Sequence, residues 1–184
     1  MQNAVNQAQM RNGVRGWDMH ILPADAVAAS TTDGGAWSLH SDTPEMYSAV
    51  MDPNTLHDGH PTLRMGSEVA VREQTGQYLR RDRALQQYLG CRIRATAWIK
   101  SARVVNDAGI RIRVLNADDD AIADEGQRAQ RPVRGTTDWK LYTAFVDVPA
   151  NTASVRWGFI LNGKGDIWVD LDSAKLEIAD GAGR

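Results

Sequence analysis

Hydrophobic and polar residues alternate along much of the second half of the chain. Between residues 92 and 100, Ile93, Ala95, Ala97 and Ile99 fall on one side of an extended backbone, and Arg92, Arg94, Thr96, Trp98 and Lys100 on the other. That two-residue period is the mark of a half-buried strand. Ile110, Ile112 and Val114 alternate in the same way with Arg111 and Arg113, and Val155, Trp157, Phe159 and Leu161 with Ser154, Arg156, Gly158 and Ile160. Further strands are predicted at 142–148, closed by Pro149, at 167–169 and at 175–178. A helical period is missing, apart from a turn or two at 82–89. Short strands separated by Gly, Pro, Asn and Asp, with no crossover helices, predict an all-β fold, an antiparallel β-sandwich. Ile93, Ala97, Ile99, Ile112, Val155, Trp157 and Phe159 are its predicted core. Residues 1–36 open polar and rich in Gln and Asn, then pass through loop-like AASTTDGGA. They are predicted to form an N-terminal arm or extra strand, 37–178 the sandwich, and 179–184 a tail.

Composition narrows the function classes. Of 184 residues, 42% are hydrophobic and 24% charged, which fits a globular domain and excludes wholesale disorder. A formal charge of −2 exerts no general pull on nucleic acid or membrane, so neither is an expected partner. No apolar run has the length of a membrane helix, and the first residues lack a secretory signal, so the default expectation is a cytoplasmic location. Cys91 is alone and cannot form an intramolecular disulfide. The cations are chosen unevenly, 17 Arg against 4 Lys, and the guanidinium fork suits planar contacts with carboxylates, phosphates and sugar hydroxyls.

Residues 131–178, RPVRGTTDWKLYTAFVDVPANTASVRWGFILNGKGDIWVDLDSAKLEI, run through a GTTDW turn, a strand ending in DVP, a strand containing WGF, a GKG turn read as a hairpin, and IWVD before a last strand. This order resembles the C-terminal half of galactose-binding-like jelly rolls, the carbohydrate-binding-module-like domains found free or appended to bacterial enzymes and regulators. Upstream, YSAVMDPNTLHDGHPTLRMGS and YLGCRIRATAWIKS are similar to earlier strands of the same family. The resemblance covers roughly 37–178 and implies a jelly-roll sandwich that binds a carbohydrate or other small polar ligand. It also implies a structural Ca²⁺ at one end of the sandwich, with Asp58 and Asp170 at the matching positions; separated oxygen ligands are what that ion takes. Asp58 also suits a turn before Gly59, and Asp170 an arginine partner. The segment Asp170 to Ala174 is longer than the family's last turn.

Other chemistry is sparse. Asn116 to Asp120 lacks the Gly and Glu of an EF-hand and reads as a hairpin turn. His57 and His60 have no third ligand at zinc spacing. No nucleophile elbow, zinc-protease motif or phosphate loop occurs, which leaves the enzyme class open only to a cyclase-type sandwich that works by pocket shape. The strongest candidate is the outward register itself. If the strands share a sheet, Arg92, Arg94, Trp98, Lys100, Arg111, Arg113 and Arg156 make one basic face with an aromatic platform for a ligand. A salt-bridged polar face is the structural alternative. Trp157 belongs with the core, Trp168 on the face of Asp170, and Trp139 reads as a fold determinant. The leading function is a non-catalytic binding module; the alternative is an adaptor or decoration protein in a homo-oligomer or larger assembly.

Overall fold

The runs predicted separately at 92–100 and 110–114 are one strand. In the computed structural model, which describes residues 36–68, 74–82, 86–126 and 131–179, β5 (Arg92–Leu115) extends through both. Ile93, Ala95, Ala97 and Ile99 are buried in its first half, and Ala108, Ile110, Ile112 and Val114 in its second. An odd-to-even change of the buried positions requires an extra residue between them. It is absorbed at a bend where Arg103 has φ 55° and the ladder shifts register between Ile99, Ser101, Val104 and Ala108.

Both edges of β5 are paired along its length, and every ladder is antiparallel. One edge carries β8 (Ser154–Asn162), β9 (Gly165–Val169) and β10 (Lys175–Ile178); the other carries β6 (Ala121–Gly126) and β7 (Val133–Asp147). Outward from β8 lie β4 (Thr75–Asp82) and β1 (Ser38–Ser41), and outward from β9 lie β3 (His60–Ser67) and β2 (Ser48–His57). The hydrogen-bonded sheet therefore folds over along a crease at the bend of β5. A first layer holds β2, β3, β9, β10, the first half of β5 and most of β7; a second holds β1, β4, β8, the second half of β5 and β6. The antiparallel sandwich expected from the periodicity is the observed architecture.

All seven predicted core residues are at most 3% exposed and lie between the layers. Burying each large apolar side chain contributes about 1.5–3 kcal/mol. Trp37 stacks on Tyr78 at 5.5 Å and meets Trp157 edge-on at 5.3 Å, and the Trp157 indole N–H donates to Asp82 Oδ2 at 3.0 Å.

Two local expectations change. Residues 163–165 do not close a hairpin, because β8 and β9 pair with β5 rather than with each other. They are the corner at which that chain crosses the crease. Gly165, at φ 136°, is required there, since a Cβ would stand 2.6 Å from Val104 Cα. The helical turn expected at 82–89 is not formed by its described part: Asp82 closes β4 and 86–90 make a turn. Cys91 is partly exposed. The predicted arm lies outside the described residues except for Ala36, as does the tail except for Ala179.

Candidate ligand-binding faces

The outer side of the first layer collects three of the six tryptophans: Trp98 on β5, Trp139 on β7 and Trp168 on β9, all half-buried. Between the first two lies His57, delivered by the β2–β3 hairpin. Asp58 and Gly59 form its two-residue turn with φ 48° and 85°, the left-handed pair that matches strand twist. Between Asp52 and Leu56 the ladder with β3 slips, and Asp52 binds that irregular stretch by accepting from Asn54 N and Thr55 Oγ1, each at 2.9 Å. The imidazole then lies 5.1 Å from the Trp98 ring and 4.6 Å from the Trp139 ring. Its Nδ1 is 2.8 Å from Asp170 Oδ2. Asp170 Oδ1 accepts from the backbone N–H of Asp172 and Ser173, and its own N–H donates to Trp98 O. Burial pushes the Asp170 carboxyl up, yet hydrogen bonds from His57 and Ser173 outweigh it and hold the group below the usual carboxylate range.

Trp168 is fixed from two sides. Its indole N–H donates to Asp52 Oδ2 at 2.8 Å, and the Arg64 guanidinium lies over its ring at 5.8 Å. Arg64 in turn donates to the buried Asp166. The Asp52 carboxyl follows the rule of Asp170: burial raises it, and hydrogen bonds from Trp168, Asn54 and Thr55 bring it lower. Beside this group, Phe145 and Leu141 are exposed on β7, with the Arg92 guanidinium 5.5 Å from the Phe145 ring.

The ladder separates the predicted basic face into two. Arg92, Arg94, Trp98 and Lys100 lie on the outer side of the first layer; Arg111, Arg113 and Arg156 lie on the outer side of the second, across the sandwich. The premise of one shared face fails because β5 crosses the crease between Lys100 and Arg111. On the first layer Arg94 pairs with Glu177 at 2.8 Å, Lys100 with Asp138 at 3.4 Å and Arg92 with Asp147 at 3.8 Å. On the second, Arg81 and Arg156 converge on Asp119, and Arg111 and Arg113 on Asp124.

Asp58 and Asp170, proposed from the family resemblance as Ca²⁺ ligands, stand at the same end of the sandwich. They flank the same His57 nitrogen, at 3.9 and 2.8 Å. The Asp58 side chain is 86% exposed, and the Asp170 oxygens accept from His57, Asp172 and Ser173. Among the described residues no group of three or more His, Cys, Asp or Glu is placed to hold a metal ion. His57, Trp139 and Trp168 were not chosen as ligand-binding positions from sequence. The HDGH turn located His57, but only the hairpin's fold onto β5 and β7 brings it between two indoles.

No family model matches the chain. The uncharacterized HTH-type transcriptional regulator YbfP of Bacillus subtilis (strain 168) is 29% identical over 136 residues, covering 73% of this chain and 45% of its own, so the chain spans less than half of that relative. Among solved structures, the enzymatically active domain of bacteriophage CBA120 tailspike protein 4 superposes with a TM-score of 0.59 at 13% identity, over 78% of this chain and 19% of that one. A family 30 carbohydrate-binding module gives 0.54 at 17% identity, over 80% and 95% of the two chains. A putative sugar binding protein from Bacteroides thetaiotaomicron VPI-5482 gives 0.55 at 9%, over 82% and 90%. The chain has the jelly-roll β-sandwich fold that these carbohydrate-binding modules share.

Proposed function

We propose that the protein is a carbohydrate-binding module whose ligand lies on the outer side of the first layer, across Trp98, Trp139 and Trp168. The observation that carries this reading is the gathering of three half-buried indoles, held by His57, Asp52 and Arg64, on one side of a sandwich of the carbohydrate-binding type. Indole faces stack on the apolar faces of sugar rings, and the neighbouring Arg–carboxylate pairs supply donors and acceptors for hydroxyls. Lys100 and Arg94 are the members of the original basic face that border the platform.

Calorimetric titration and affinity electrophoresis against soluble neutral polysaccharides, xylan and hydroxyethylcellulose among them, test the reading. Loss of a stacked aromatic at a binding centre costs on the order of 2 kcal/mol, so Trp98→Ala is expected to weaken binding by at least about tenfold with the fold retained. Wild-type protein that binds none of these glycans, together with a large fall in melting temperature for Trp98→Ala, would turn the account towards a structural or interaction role. A second reading draws on the likeness to the regulator: the same face serves as the ligand-sensing part of a larger protein. Its test is the same titration, made on the full-length regulator.

A further inference from the structure

The second layer carries a surface that the tryptophan platform does not account for. Arg156 on β8 is directly opposite Arg81 on β4 and directly opposite Arg113 on β5. Three arginines thus form a row across three adjacent strands, and Arg111 continues it two residues along β5. Like charges placed directly opposite in a sheet are destabilising, so the fold holds these groups together against their repulsion. Two carboxylates engage the four guanidinium groups. Asp119 accepts from Arg81 at 2.9 and 2.8 Å and from Arg156 at 3.1 Å. Asp124 is chelated by Arg111 and lies 3.3 Å from Arg113 Nε, a buried nitrogen without a hydrogen-bond partner.

Asp119 is not a passive partner. It sits in the β5–β6 turn with φ 67°, a left-handed conformation that side chains rarely adopt, and the Asn116 side chain braces that turn by accepting from Asp118 N and Asp120 N. The turn thereby places a carboxylate, 54% exposed, in the fork between two arginines. That is the posture of a bound anion, supplied by the chain itself.

We propose that the row Arg81, Arg156 and Arg113 is a second binding surface, on the opposite side of the sandwich from the tryptophans, for a polysaccharide bearing a carboxylate on each sugar ring, with Asp119 as its internal competitor. What the fork already holds selects the ligand group: Arg81 and Arg156 both donate to the Asp119 carboxylate, so a carboxylate is the group that can take its place. That a sugar chain carries it rests on the carbohydrate-binding reading of the fold.

The test is titration of the purified chain with polygalacturonate in about 20 mM and about 0.5 M NaCl, beside a single-stranded oligodeoxynucleotide as the other polyanion. Binding to polygalacturonate at low salt, weaker by about tenfold or more at high salt, is expected. Arg156→Gln should lower the low-salt affinity about tenfold. Asp119→Asn, which keeps the left-handed turn and removes the competing charge, should raise it several-fold, and this result stands even if Arg156→Gln folds poorly. Trp98→Ala, which disables the other face, should leave it unchanged. The proposal is overturned by absence of binding at low salt, by unchanged or weaker binding in Asp119→Asn, by loss of polygalacturonate binding in Trp98→Ala, or by preference for the oligodeoxynucleotide. None of these outcomes depends on whether neutral glycans bind the tryptophan face.

Discussion

The two outer faces begin from the same strand and end as different surfaces. On the first layer, outward positions of β5 meet aromatic neighbours, and Arg92, Arg94 and Lys100 each have a carboxylate of their own. On the second, outward positions of the same strand meet other arginines, four of which share two carboxylates. Alternation fixes which residues point outward; the crease and the neighbouring strands decide what they point outward with. Charge spacing along a sequence therefore does not identify a face.

The comparison can be broken most severely through what the faces share. Phe159 is fully buried between the layers, and Phe159→Ala should destabilise the domain by about 3–5 kcal/mol. Chemical denaturation should register this as one transition, with both faces lost together. A variant in which one layer survives would show the layers to be separable.

A smaller effect belongs to the first face alone. Asp170→Ala removes the partner of His57 and the acceptor for two backbone N–H groups, and should cost about 1–3 kcal/mol. Because the Asp170 carboxyl titrates below its ordinary value in the folded state, the stability it contributes is complete above the unfolded value near 3.9 and disappears as pH falls through the folded one. Acid unfolding followed by tryptophan fluorescence should thus be shallower in Asp170→Asn below about pH 4. An acid transition as steep as the wild type's would remove Asp170 from that role.

The smallest expected effect sharpens the contrast. Arg156→Gln breaks one partly exposed ion pair but also relieves two like-charge contacts, so its stability should lie within about 0.5 kcal/mol of wild type. Removing Arg94 from its Glu177 pair relieves no such repulsion and should be mildly destabilising. A melting series in low and high salt distinguishes the two, since screening erases the repulsion in the arginine row. A large loss in Arg156→Gln would mean that the row stabilises the fold.

Much of the sandwich was legible in the sequence because a half-buried strand writes its register into every second residue. Ile93 through Ile99 show it without interruption, Val155 through Leu161 show it except at Ile160, which is buried as well, and the opposite senses of Trp157 and Trp168 follow from the same rule. The crease was harder to see. Ile99 and Ile110 differ in parity, which is equally consistent with two strands joined by a loop; only the ladders of β7 and β8 make β5 continuous. The same ambiguity made GKG look like a hairpin and put seven outward residues on one surface. His57 was found as a turn neighbour and missed as the ring between Trp98 and Trp139, since that contact joins strands 41 and 82 positions apart in the chain, and no local pattern encodes it.

The central claim, that the first layer's tryptophan face is the surface for neutral glycans and the second layer's arginine row is not part of it, is tested most directly by a crossed titration. Wild type, Trp98→Ala and Arg156→Gln would each be titrated calorimetrically with one soluble neutral polysaccharide that the wild type binds. The account predicts a loss of about tenfold or more in Trp98→Ala and an affinity indistinguishable from wild type in Arg156→Gln. Equal losses in both variants, or a loss confined to Arg156→Gln, would contradict it.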